Sequence, residues 1–214
     1  MRERKKLRTR ATLIDASMQL CLRDGYENTT VEQIAAAADV SPRTFSRYFA
    51  TKDAVFMTLI EDYSHEVSIE LESVPTEVGP LEAMRQAHVA VLTRVASRHV
   101  GRLTTERIIL MLRVINASDA LRRAAFEFRH DATEVILAKR MGVDIEDGRR
   151  RLVAAVFSST IVTACGDLIA DTDTVRLGPT VMVDRLNEAF SQVAIFTSDL
   201  RAPAPAADYA PVYG

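Results

Sequence analysis

With 214 residues the chain can bury a substantial core and exceeds one average domain, so a small head on a larger body is expected. The formal net charge of -2 conceals an asymmetry: residues 1–52 hold ten Lys or Arg against six acids, whereas residues 53–214 hold seventeen against twenty-three. Two distant cysteines speak against a disulfide-stapled scaffold. The basic start has no apolar signal core, and the apolar run 152–170 is broken by Ser158, Ser159, Thr160, Thr163 and Asp167, so export and membrane insertion are not expected and a cytoplasmic protein is.

The first helix is predicted over residues 8–23, with Leu13, Ile14, Met18, Leu20 and Cys21 as apolar positions and Gly25 closing it. Ahead of it, Arg2, Arg4, Lys5, Lys6 and Arg8 read as a flexible arm able to touch phosphate or the minor groove.

Residues 29–52, T-T-V-E-Q-I-A-A-A-A-D-V-S-P-R-T-F-S-R-Y-F-A-T-K, spell out a helix-turn-helix. Thr29 or Thr30 serves as N-cap, with Glu32 or Gln33 three residues on to complete a capping box. Ile34, Ala35 and Ala38 form a narrow stripe of small apolar residues that lets a second helix approach closely. Asp39 occupies a turn that needs a left-handed backbone, which Asp tolerates better than most side chains and Gly better still. Ser41 and Pro42 are a cap followed by a first-position proline, so the second helix starts at Pro42. Phe45 and Phe49 face inward, leaving Arg43, Thr44, Arg47 and Tyr48 outward. Guanidinium groups can take guanine edges or phosphates, and the hydroxyls can bond phosphate, so double-stranded DNA is the expected partner. Thr51 caps a third helix whose first turn contains Lys52, where the helix dipole disfavours a cation; a nearby phosphate would remove that conflict.

That helix is predicted over residues 51–73 as a bridge out of the head, ended by Pro75, Gly79 and Pro80. Further helices are predicted at 81–99, 105–116, 119–141, 144–171 and 179–198, with a loop at 171–179 and a disordered Ala- and Pro-rich tail from 201. No strand alternation persists. The fold class is therefore all-α, divided into a head of residues 1–52, a body of residues 53–200 and a tail of residues 201–214.

The helix-turn-helix run resembles the TetR family of bacterial transcriptional regulators, whose pattern reads T-T-V-x-x-I-A-x-x-A-G-V-S-x-x-T-x-Y-x-Y-F-x-x-K. The likeness extends upstream through Arg10, Leu13, Ile14, Ala16, Leu20, Gly25 and Tyr26, and the R-T-F-x-x-Y-F form looks like an actinobacterial subgroup. Asp39 departs from the family's Gly, and Ser46 from its phosphate-binding Tyr. The resemblance implies DNA contacts at Thr30, Pro42, Arg43, Thr44, Ser46, Arg47, Tyr48 and Lys52. It further implies a homodimer formed through the last two long helices, with Val153, Val156, Phe157, Ile161, Leu186, Phe190, Val193 and Phe196 as apolar candidates, some facing the partner and some the intrachain core. Finally, it implies a pocket for an unknown, hydrophobic small-molecule effector inside the body. Its candidate lining residues are Met84, His88, Leu92, Leu110, Met111, Val114, Phe126, Phe128 and His130.

The expected function is thus a ligand-responsive repressor, released from a palindromic operator when the effector binds. A helical-bundle enzyme is the alternative, but the chain has no Gly-rich phosphate loop, G-x-S-x-G, H-E-x-x-H or C-x-x-C. Nor do His65, His88, His99 and His130 stand at metal-ligand spacing, so no catalytic residue, metal or cofactor is expected. A protein-docking module with an incidental helix-turn-helix is the other alternative.

Overall fold

The computed structural model describes residues 2–117, 119–166, 168, 178–198 and 200. Among the described residues ten helices follow one another: α1 (Arg2–Asp24), α2 (Val31–Ala37), α3 (Pro42–Tyr48), α4 (Lys52–Ser73), α5 (Pro80–Ser97), α6 (Thr105–Ala117), α7 (Asp119–Glu127), α8 (Asp131–Met141), α9 (Gly148–Cys165) and α10 (Pro179–Thr197). Among the described residues the only β-type pairing is the isolated Val100–Leu103 bridge, so the all-α expectation holds. No described helix is long and apolar enough to cross a membrane. The loop at 171–179 lies largely, and the tail from 201 entirely, outside the described residues.

The local signals act where the residues place them. Gly25 takes φ +85° after α1, and Gly142 takes φ +64° as the left-handed cap of α8. Thr30 makes the capping box of α2 with Gln33; Thr29 instead turns its hydroxyl onto the Gly25 carbonyl. Ser41 and Thr51 cap α3 and α4.

Three element boundaries differ from expectation. The basic arm is not a separate flexible segment, because α1 begins at Arg2: Lys, Arg, Glu and Leu are good helix formers and extend the helix outward without burial. The single helix expected over 119–141 is split at 128–130. There the Arg129 guanidinium takes the Phe126 and Phe128 carbonyls at 2.7 and 2.8 Å, satisfying the end of α7 from a side chain rather than from a further helical turn. The helix expected from 144 starts at Gly148, because Asp147 caps it by accepting the Arg149 N–H at 2.7 Å.

One hydrophobic core runs through head and body. Leu13, Ile34 and Phe45 fill the head, while Leu59, Leu71, Leu92, Ile108 and Leu110 continue it through α4, α5 and α6. Arg140 on α8 donates to the Val74, Pro75 and Val78 carbonyls, tying α8 to the α4–α5 turn. Arg150 of α9 and Glu134 of α8 form a nearly buried ion pair, at 8% and 12% side-chain exposure. Between head and body, Arg107 at the start of α6 reaches Asp15 of α1 at 3.0 Å and Asp62 of α4 at 3.4 Å.

Candidate nucleic-acid interface and internal cavity

The second helix of the helix-turn-helix is held by two aromatic anchors. Phe45 and Phe49 are both buried, with ring centroids 5.8 Å apart, so the opposite face of α3 must point outward. Arg43, Ser46 and Arg47 are exposed; Thr44 and Tyr48 are half-buried. The Arg47 guanidinium lies 5.4 Å from the Tyr48 ring centre, which orders it across the face of α3. Ser41 Oγ accepts the Thr44 N–H at 3.1 Å and shares a hydrogen bond with the Thr44 hydroxyl, and Ser46 Oγ donates to the Pro42 carbonyl at 3.1 Å. Thr30 and Pro42 are exposed beside this face. Arg4, Lys5 and Arg8 of α1 line a groove with Thr9 and Thr12 against the Ala38, Asp39 and Val40 turn. The extended α1 thus adds cations next to the reading helix.

Lys52 is arranged differently from the expectation. Its dipole conflict is relieved within the chain: Nζ donates to the Tyr26 and Thr29 carbonyls at 2.7 and 2.9 Å and lies 4.0 Å over the Tyr26 ring. A phosphate is therefore not needed to account for the cation there. Two of its three donors fasten α4 to the α1–α2 connection, aided by the Tyr26 hydroxyl, which donates to Asp53. Sequence patterning cannot see this, because the partner carbonyls lie 26 and 23 residues away.

The body contains a partly open cavity of about 170 Å³, walled by α4 to α10. Of the expected lining residues, Met84, His88, Met111, Phe128 and His130 face it. Leu92, Leu110, Val114 and Phe126 do not, and this corrects the expected set. Helical geometry explains α6: Met111, Leu112, Ile115 and Asn116 form its cavity stripe, while Leu110 and Val114 lie on another side and are at most 2% exposed in the core. Leu92 is likewise fully buried, beyond the Met84 and His88 turns of α5. Phe126, half-buried near the end of α7, is not part of the cavity wall.

Residues missed from the sequence include Tyr63 on α4, Arg122 on α7, Arg129 and Phe157. Tyr63 shares the cavity stripe with Ile60, Ser64 and Val67, a three- and four-residue spacing visible in the sequence but read only as core. Of the apolar candidates on the last two helices, Phe157 is one that faces the chain's own core: it is buried and packs tilted against His88 and Phe190, with ring centroids 4.4 and 5.4 Å away. Leu186 is also buried, at 1% exposure, so both are intrachain core. Leu152, Ile195 and Phe196 are instead exposed on α9 and α10, at 64%, 60% and 73%.

His88 is neutral. Burial pushes its pKa down to about 4, and Nδ1 sits 2.9 Å from the Met84 carbonyl, which fixes the proton on Nδ1 and leaves Nε2 as an acceptor. Tyr63 packs edge-on against it at 5.5 Å, and burial raises the phenol well above its usual range. Among the described residues, no group of three or more His, Cys, Asp or Glu could hold a metal ion.

A capped helix-turn-helix with a cationic outer face, joined to a helical body with an apolar cavity, defines a DNA-binding regulator of the one-chain, head-and-body kind. The family model for bacterial regulatory proteins of the tetR family matches residues 13–58. The chain is 39% identical over 180 residues to the HTH-type transcriptional regulator TcmR of Streptomyces glaucescens, spanning 81% of this chain and 79% of that one. It therefore belongs to the tetR family and is a DNA-binding transcriptional regulator. Solved structures agree in fold. Thermus thermophilus FadR, a TetR-family repressor in complex with lauroyl-CoA, superposes with a TM-score of 0.54 at 23% identity over 92% of this chain and 98% of that chain. SmeT, repressor of the Stenotrophomonas maltophilia multidrug efflux pump SmeDEF, gives 0.54 at 18% identity over 92% and 97%.

Proposed function

We propose that this regulator is a homodimeric repressor that leaves a palindromic operator when a small molecule fills the body cavity. Residues 1–52 form the reading head, and residues 53–200 the effector and dimerisation body. Arg43, Thr44, Arg47 and Tyr48 enter the major groove, with Thr30, Pro42 and Ser46 beside the phosphates; Lys52 has one remaining donor for a phosphate and acts chiefly by fixing the head. The exposed apolar residues Leu152, Ile195 and Phe196 support a second copy packing on α9 and α10, placing two α3 helices about one duplex turn, roughly 34 to 36 Å, or a multiple apart. The reading gives the body no catalytic step.

The observation that carries the proposal is the dual attachment of α4 and α6. The first turn of α4 is bonded to the head through Lys52, while Tyr63 and Val67 further along it face the cavity. In α6, Arg107 bonds Asp15 of α1, and one turn later Met111 faces the cavity. A ligand that shifts either helix moves the head with it. Effector and operator then oppose each other, and linkage makes that opposition reciprocal.

A gel shift with the region upstream of the protein's own gene tests the DNA part. A salt-sensitive complex that resists random competitor is expected; loss to random duplex at equal concentration refutes it. Once an effector is in hand, its affinity measured with and without operator must fall by the factor by which it weakens the operator complex. An effector affinity indifferent to operator rules out the coupling.

A further inference from the structure

We propose that the cavity is built for an apolar organic acid, its anionic group held by Arg122 and Arg129 and its apolar body against Phe157 and Met111, with a hydroxyl or carbonyl reaching Tyr63. This rests on the reading of the cavity as the effector site. Two polar atoms in the cavity wall are buried and have no partner among the described residues: Tyr63 Oη and Arg122 Nε. Buried donors are almost always satisfied; Arg94 Nε and Arg140 Nε are orphaned as well, but among the described residues only Tyr63 Oη and Arg122 Nε stand in the cavity wall, where a ligand can complete them. Both offer a hydrogen, which calls for acceptor oxygens on the ligand. Beside Tyr63, the neutral His88 presents Nε2 as an acceptor, so a ligand hydroxyl could accept from Tyr63 and donate to His88.

Charge decides the rest. Arg122 donates through Nη2 to the Asn116 carbonyl at 3.1 Å and meets Asp119 at 3.3 Å, but that carboxylate is 86% exposed and is no part of the cavity wall. Arg129, exposed at the cavity mouth, uses Nη1 on the Phe126 and Phe128 carbonyls, and among the described residues its other nitrogens make no hydrogen bond or ion pair that would compete for an anion. Among the described residues the one acid in the wall, Glu134, is already paired with Arg150, both largely withdrawn from water. A cationic ligand would meet two guanidinium groups and a neutralised carboxylate, whereas an anionic one would gain charge-assisted bonds.

The test uses two fluorescent probes with the same rings, anilinonaphthalene sulfonate and its uncharged counterpart phenylnaphthylamine, titrated into the full chain. The sulfonate is expected to bind about tenfold tighter or more, the scale of one charge-assisted hydrogen bond. Arg122→Gln should shrink that preference more than it changes the affinity of the uncharged probe, and Arg122→Lys should largely restore it; Arg129→Gln, which also frees the carbonyls at the end of α7, should shrink the preference beyond any loss shared by both probes. Equal affinity for the two probes, or a preference that survives both Gln variants, overturns the proposal. Ser158→Trp, which fills the cavity, separates the two levels of failure. If it expels both probes but charge is immaterial, the site stands and the acid preference falls; if it expels neither, or neither probe binds at all, the effector-site reading falls with it.

Discussion

Lys52 and Arg47 show how two cations of one motif divide their tasks. Arg47 is exposed on α3 and stacked on Tyr48, so Arg47→Ala should leave the melting temperature unchanged and weaken operator binding. A relaxed preference at one base position, worth about 1 to 3 kcal/mol, would assign it to base reading, and a uniform loss to phosphate. Lys52 donates to two backbone carbonyls across the α1–α2 connection, so Lys52→Ala should destabilise the fold by about 1.5 to 3 kcal/mol, seen as a lower denaturation midpoint. A midpoint equal to wild type would return Lys52 to the role of a pure phosphate contact. His88 sets a pH dependence. Because burial lowers its pKa from 6.5 to about 4, the unfolded chain binds a proton in that interval that the folded chain refuses. Its contribution to stability is intact above pH 6.5 and is lost as pH falls toward 4, by on the order of 3 kcal/mol. His88→Gln should flatten that slope in a melting series across the same interval.

At the level of elements, the α2–α3 turn carries a small conformational cost, since Asp39 adopts φ +53° where the family pattern has Gly. Asp39→Gly should raise stability by about 0.5 to 1 kcal/mol without altering the operator sequence preferred, and an unchanged or lower melting point would count against strain at this turn. The α6 helix has the more consequential position. Its Arg107 joins Asp15 and Asp62 at 19% exposure, while its Met111 to Asn116 stripe faces the cavity. Arg107→Met should therefore keep both DNA and effector binding yet reduce the factor by which each weakens the other. A coupling factor unchanged in that variant would move the connection to α4 alone. The caps of α2, α3 and α4 were legible beforehand because each depends on residues within three positions of one another. The break between α7 and α8 was not, because periodicity continues across it and the deciding contact is one guanidinium folding onto two carbonyls.

For the whole molecule, the proposed dimer through α9 and α10 is the property to test. Leu152 and Phe196 are large, apolar and mostly exposed on α9 and α10, so Phe196→Asp with Leu152→Glu should convert a dimer into a monomer in sedimentation and abolish stable operator binding. A variant that still sediments as a dimer would place the interface elsewhere. The sequence by itself determined the all-helical class, the helix-turn-helix with its outward Arg43 and Arg47, and the break of charge between head and body. These follow from short-range rules: capping, periodicity and left-handed turns act between neighbours in the chain. Only the tertiary structure decided which apolar positions became cavity and which became core. Met111 and Leu110 are adjacent and equally hydrophobic, and what separates them is the direction each takes from α6 once α4, α5 and α9 have closed around it. Likewise, Phe157 belongs with His88 rather than with a partner chain because long-range packing turned that face of α9 inward.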